Sequence, residues 1–338
     1  MHEPQTVVRP GKPAAITTPE FTDPVEAASW LARYRPALRQ ALDRHGALLL
    51  RGLPMRDPED FAVLRDALFE QRAEYREKAT PRTDYGDEVF SSTDLPPAQR
   101  IRMHNENSYT LTFPGTLLFG CLVAPEEGGA TPVADVRAVL RALPPELVDR
   151  FRRAGWCLTR NYGPHLSLDW RTALAVTDRE AVLGYCAANV IACEWGPDDA
   201  LRTTQVRPAL IRHPSTGDEV WFNHAAFWSE WSLDPEIREV LVDELGRDGL
   251  PFNTALGDGK ALTESEVAAL NEAYDVAVVR ESWQVGDVMV VDNLLAAHGR
   301  DPFRGDRRIV VAMGDPVGLR DCSPGSLVLP APTAALAG

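Results

Sequence analysis

Cysteine is scarce in this chain. The five present, Cys121, Cys157, Cys186, Cys193 and Cys322, include no Cys-x-x-Cys pair and no zinc-like spacing. An odd number without that spacing argues against a disulfide scaffold or a structural zinc site and leaves reduced, mostly buried thiols. Basic residues are also in deficit: 35 Lys and Arg stand against 49 Asp and Glu, a formal net charge of -14. That balance opposes association with a phosphate backbone or an anionic membrane, so nucleic acid is not expected as a partner. Any anionic ligand must then be held by a few specific arginines. No stretch approaches the roughly 18 consecutive apolar residues of a membrane span, and Met1 to Thr18 lacks the apolar core of a signal peptide. A cytoplasmic protein with no membrane partner is expected. Gly-x-Gly-x-x-Gly and Gly-Lys-Ser/Thr patterns are missing too, which removes dinucleotide and P-loop sites. No internal repeat is evident.

What is there is ordinary globular material: 338 residues, 44% hydrophobic and 25% charged. One elaborated domain is expected over 21–315, with a helical or irregular insertion at about 135–205, a loose arm over 1–20 with room for an edge strand, and a flexible tail over 316–338. Asp23 and Pro24 signal a helix start, Pro36 should kink or split that helix, and Gly46 should end it. Ala47 to Leu50 reads as a buried strand, and Asp57-Pro58 opens a second helix with a Phe61, Leu64, Leu68 stripe. The polar stretch from Tyr75 to Gln99 reads as loop and is placed to cover a site. Thr116 to Val123 reads as a strand, residues 134–154 as one helix, and 206–211 with 219–223 as a hairpin. Helices are expected at 234–246 and 263–273, the latter with a Thr263/Glu266 capping box. Strands at 287–292 and 308–313 should flank a loop that carries His298.

The chain is organised around Arg102 to Tyr109. His104 and Glu106 lie two residues apart in an extended segment, so both side chains leave one face. An imidazole and a carboxylate so placed are two thirds of the 2-His-1-carboxylate triad that holds non-haem Fe(II) with open positions for substrate and oxygen. Alone, the pair is a common coincidence. His298, between two apolar strands and followed ten residues later by Arg308, raises it. A near strand with two ligands and a distant one with a third ligand and a cation suits a mainly β fold with flanking helices, a double-stranded β-helix (jelly roll, cupin-like).

These residues carry a resemblance. Ile101 to Tyr109, Pro125 to Pro132, His213 to Gly217, Trp221 to Asn223 and His298 to Phe303 through Arg307-Arg308-Ile309 run in the order found in the taurine dioxygenase/TfdA family. The chain resembles most its SyrP-like branch. The resemblance implies an enzyme, a non-haem iron dioxygenase that uses Fe(II), 2-oxoglutarate as co-substrate and O2. It implies His104, Glu106 and His298 as metal ligands, and Arg308 with Thr131 on the distal carboxylate of 2-oxoglutarate. Hydroxylation of an unactivated C–H bond is then expected, with desaturation, cyclisation or epimerisation as alternatives and a non-catalytic binding protein as the rival outside the class. Related halogenases leave a small residue where Glu106 stands, so halogenation is not expected.

The implied substrate is a small molecule, an amino acid or derivative in natural-product biosynthesis, free or tethered to a carrier protein. Candidate substrate contacts are Arg102, on the His104 face, then Asn107, Ser108 and Tyr109 after the ligands, and Phe222, Asn223 and His224. Asn105 should turn away from the metal. His213, beside a hairpin turn, reads as structural, whereas His165 and His224 are open to either reading. The sequence leaves the oligomeric state open.

Overall fold

The structure is a computed structural model that describes residues 3–73, 77, 79–80, 82–163 and 168–322. Its frame is a seven-stranded sheet in the order β1 (Gln5–Val7), β2 (Ala14–Thr17), β3 (Ala47–Leu50), β16 (Val288–Asp292), β6 (Thr112–Val123), β19 (Arg308–Gly318) and β4 (Phe90–Ser91). A four-stranded sheet faces it, in the order β15 (Val278–Val279), β8 (Val133–Asp135), β17 (Ala296–Arg300) and β5 (Ile101–His104). Every pairing in both sheets is antiparallel except β2 with β3. Together they form a double-stranded β-helix, as expected.

Strand alternation assigns the two faces of the large sheet. Leu117, Phe119, Cys121, Met289, Val291, Ile309, Val311 and Met313 point inward and meet Val133 and Ala296 of the small sheet. Leu118, Leu122, Val288, Val290, Val310 and Ala312 point outward, against the helices α1 (Pro24–His45) and α2 (Pro58–Leu68). Asp23 caps α1 by accepting from the Val25 N–H, and Gly46 closes it with a φ of 70° that favours glycine. Contrary to expectation, Pro36 does not split α1. Trp30 and Leu31 before it and Leu38 and Leu42 after it are all buried, so packing on both sides holds one helix.

Other boundaries differ for physical reasons. The single helix expected over 134–154 is two, α3 (Val136–Ala142) and α4 (Pro145–Ala154), because Pro144 and Pro145 interrupt the turn between them. The arm expected over 1–20 contributes β1 and β2 to the sheet edge. The tail expected from 316 begins inside β19, where Gly318 still pairs with Thr112, and residues from 323 onward lie outside the described ones.

The insertion is ordered as a second, smaller layer. Strands β10 (Ala192–Trp195), β11 (Leu201–Arg207), β9 (Trp156–Tyr162) and β14 (Phe252–Leu256) form one sheet. The helices α5 (Trp170–Leu174) and α6 (Arg179–Ala188) share a core with it through Tyr162, Trp170, Leu174, Val182 and Leu201. The expected hairpin is β12 (Leu210–Arg212) with β13 (Glu219–Trp221), and of the strand expected over 206–211 only its first two residues, Val206 and Arg207, belong instead to β11. A two-stranded ladder joins β7 (Glu127–Gly128) to β18 (Phe303–Arg304). Helix α7 (Pro235–Leu245) and helix α8 (Glu264–Ala277), with its Thr263/Glu266 capping box, stand where the sequence places them. All five cysteines are free, and no helix among the described residues is long and apolar enough to cross a membrane.

Candidate metal and co-substrate site

The segment that carries His298, expected as a loop, is β17, and its pairing with β5 sets His298 directly opposite His104. The two imidazole centroids are 4.4 Å apart. Gly299 permits this approach, since a Cβ there would lie 2.6 Å from the Ile101 carbonyl oxygen. Glu106 does not continue the strand: β5 ends at His104, and Glu106 opens the turn that follows. Its carboxylate still reaches the histidines. One ligand atom from each of His104, Glu106 and His298 lies within 4.8 Å of the others.

The donor set suits a divalent cation. The Arg102 carbonyl can only accept, so His104 Nδ1, 3.0 Å away, carries the ring proton and its Nε2 keeps a lone pair. His298 Nε2 faces Glu106 Oε2 at 3.8 Å, and its Nδ1 is buried without a hydrogen-bond partner. Burial pushes the pKa of His104 down and that of His298 well down, which keeps both rings neutral, the state that ligates. Two neutral imidazoles and one carboxylate in a buried pocket match the 2-His-1-carboxylate set of Fe(II).

Two arginines were not legible in the sequence. Arg82, from the covering segment, donates through Nη2 to Glu106 Oε2 at 3.0 Å, with both side chains under a tenth exposed. Nothing in the polar composition around it marks this role. The second is Arg307. It donates to the Gly129 carbonyl at 2.9 Å, Ser92 Oγ at 3.0 Å and Thr131 Oγ1 at 3.4 Å. Burial lowers its pKa to about 10, with Arg300 adding to the effect. Arg308, expected in this position, is exposed. The inward parity of β19 runs through Ile309, Val311 and Met313, which puts 307 inside and 308 outside. A register shift between Arg308 and Ile309 marks where the strand enters the ladder. Thr131 is 3% exposed, accepts from Trp283 Nε1 at 3.3 Å, and lies two residues before Val133, the register partner of His298.

The expected substrate contacts divide. Arg102, on the face of His104, donates through Nε to the Ser232 carbonyl at 3.0 Å, and burial lowers its pKa. His224 adjoins the site: its Nδ1 is 2.6 Å from Ser108 Oγ and its ring is 5.5 Å from that of His104. Phe227 packs 4.5 Å from His104. Tyr109 and Asn107 are occupied with each other and with the covering segment, Tyr109 Oη donating to Asn107 Oδ1 at 3.1 Å and to the Glu77 carbonyl at 2.9 Å. Phe222 is 1% exposed and packs 4.6 Å from Phe113 in the core. Asn223 is likewise spent on structure, donating to the Ala209 carbonyl and accepting from the Ala225 N–H. Asn105 turns away from the ligands and donates to the Asn293 carbonyl. His213 ties its hairpin turn to Asp292, accepting from the Thr216 N–H at Nδ1 while Nε2 lies 3.2 Å from Asp292 Oδ2. His165 lies outside the described residues.

A jelly roll whose paired strands bring two histidines together, with a glutamate from the adjoining turn, around one point defines a non-haem Fe(II) dioxygenase scaffold. The chain belongs to the taurine catabolism dioxygenase TauD, TfdA family, whose model matches residues 8–313. It is a 2-oxoglutarate-dependent dioxygenase, with Fe(II) and 2-oxoglutarate as its cofactors. It is 36% identical over 278 residues to dapdiamide synthesis protein DdaC of Enterobacter agglomerans, covering 82% of this chain and 84% of that one. A clavaminate synthase-like protein of Arabidopsis thaliana is 28% identical, over 89% of this chain and 93% of its own. Among solved structures, an asparagine oxygenase in complex with Fe(II), 2S,3S-3-hydroxyasparagine and succinate aligns with a TM-score of 0.53 at 16% identity, over 86% of this chain and 83% of that one. The PvcB protein of Pseudomonas aeruginosa aligns at 0.51 and 16%, covering 89% and 84%. These two likenesses concern the fold.

Proposed function

We propose that the enzyme hydroxylates an unactivated C–H bond of an amino acid or amino-acid derivative, free or carrier-tethered, in natural-product biosynthesis. The observation that carries this reading is the meeting of His104, Glu106 and His298. The relative named for dapdiamide synthesis supports a biosynthetic setting.

When bound, Fe(II) with 2-oxoglutarate and O2 supplies the oxidising power, one oxygen atom entering the substrate and the other the succinate left by decarboxylation. The chain does the rest. His104, Glu106 and His298 would hold the metal. Arg307, rather than Arg308, would take the distal carboxylate of 2-oxoglutarate, with Thr131 beside it. Cys121 and Ile309 line the same interior and keep water from that ion pair. Arg102 sits two residues, about 6.6 Å, along the strand from His104, within reach of a carboxylate on a small substrate whose carbon lies at the metal. His224 and Phe227 form the opposite wall. Arg82 closes over Glu106, its Nη2 donating to Oε2, the oxygen that also faces His298 Nε2, and so orients that carboxylate.

The test is a screen of amino acids and related metabolites for substrate-stimulated succinate formation with Fe(II) and 2-oxoglutarate, followed by product mass. A gain of one oxygen supports hydroxylation. A loss of two hydrogens without oxygen points to desaturation or cyclisation, and an unchanged mass with inverted configuration to epimerisation. No aerobic succinate with any substrate reduces the chain to a binding module.

A further inference from the structure

Glu106 lacks the support that a strand gives its ligands. β5 is the edge of the small sheet, its last rung pairs His104 with His298, and Glu106 lies two residues beyond. A buried peptide unit at that point needs a donor and an acceptor. Both come from one side chain. Asn293 Oδ1 accepts from the Glu106 N–H at 2.7 Å, and Asn293 Nδ2 donates to the Glu106 carbonyl at 2.9 Å and to the Pro114 carbonyl at 2.7 Å. A carboxamide carries the same donor and acceptor as a peptide group, so Asn293 reproduces the two-bond exchange of an antiparallel pair.

Asn293 is itself held fast. It is 0% exposed, its N–H donates to the Gly115 carbonyl at 2.9 Å, and its carbonyl accepts from Asn105 Nδ2 at 2.6 Å. It occupies the short connection between β16 and β17, five residues before His298. One residue thus joins the turn that carries Glu106 to the connection that leads into His298.

We propose that Asn293 is a positioning residue of the metal site, fixing the Glu106 backbone so that its carboxylate meets the two histidines. The proposal rests on the ligand set assigned above. Without the amide, the turn after His104 loses both backbone partners and the carboxylate loses its fixed origin, although every ligand remains.

The test is anaerobic Co(II) titration of the purified full chain without 2-oxoglutarate, reading the dissociation constant and the visible absorption bands, with thermal unfolding of the metal-free protein alongside. Asn293→Asp keeps size and the bond to the Glu106 N–H but sets an acceptor against two carbonyls. Asn293→Ser keeps a single hydroxyl partner. Both are expected to bind Co(II) about 10- to 100-fold more weakly, the usual cost of removing a group that orients a ligand, with altered bands, and to gain less thermal stability from added metal. Folded variants that bind Co(II) within twofold of the parent with unchanged bands overturn the proposal. So does failure of both to fold in saturating Co(II), which makes Asn293 a folding residue. Glu106→Ala separates the two levels: if it loses Co(II) binding while the Asn293 variants keep it, only the positioning role falls, and if it too keeps binding, the ligand set falls with it.

Discussion

At the scale of single residues, the candidate metal ligands were readable because they need only identity and spacing, whereas the arginine proposed for the co-substrate needs a register. His104, Glu106 and His298 are where their spacing implies, although Glu106 arrives from a turn and not from the strand that motivated it. Arg307 and Arg308 are chemically identical neighbours, and only the parity of the β19 interior separates them. That parity shows only once β19 is paired with β6 in the sheet, and the apolar run from Ile309 to Met313 does not announce it. The consequence is measurable. Arg307→Ala should raise the apparent requirement for 2-oxoglutarate at least tenfold, since a charge-assisted bidentate contact is lost, while the requirement for the main substrate changes little. Arg308→Ala should alter neither by more than about twofold, as expected of an exposed side chain. Steady-state kinetics varying each co-substrate in turn will show it, and the reverse ranking would return the role to Arg308.

At the scale of elements, the site depends on how closely β17 and β5 approach. Gly299→Val places a branched side chain where a Cβ alone would stand 2.6 Å from the Ile101 carbonyl and 3.2 Å from Met103 Sδ. The strands must separate, at a cost of about 1–3 kcal/mol by analogy with overpacked cores, and His104 and His298 separate with them. A lowered unfolding midpoint together with weaker metal binding is expected. Weakened stability with unchanged Co(II) affinity would show that the strands recover their spacing at the histidines. Nothing local marks Ala296 to Arg300 as a strand: five residues with a glycine and an arginine resemble a connection, and only the partners β5 and β8 make them part of a sheet. Helix caps were legible for the opposite reason. Asp23, Asp57 and Thr263 satisfy backbone donors within three residues of themselves, so no distant partner is needed. The Pro36 helix and the sheet of the insertion lie between these cases, decided by burial against elements far away in the chain.

At the scale of the whole molecule, one buried carboxyl ties the stability of the jelly roll to pH. Asp287 stands at the entrance to β16, the strand flanked by β3 and β6 in the large sheet, and is 0% exposed. Its Oδ2 accepts from the Gln284 N–H at 2.9 Å, its Oδ1 has no partner, and Arg51 comes no closer than 3.9 Å. Desolvation therefore dominates and raises its pKa from 3.8 to about 6. Between these two values the folded chain holds a proton that the unfolded chain has released, so stability present below about pH 4 is lost as the pH rises through about 6. For a shift of this size the loss is on the order of 3 kcal/mol. Asp287→Asn removes the titration while an amide oxygen still accepts from Gln284. Chemical denaturation at pH 4, 5, 6 and 7 should show this contribution as a downward slope in the parent that is missing from the variant, with the variant the more stable of the two at pH 7. Parallel curves across that range would mean that Asp287 ionises in the folded chain as easily as in the unfolded one.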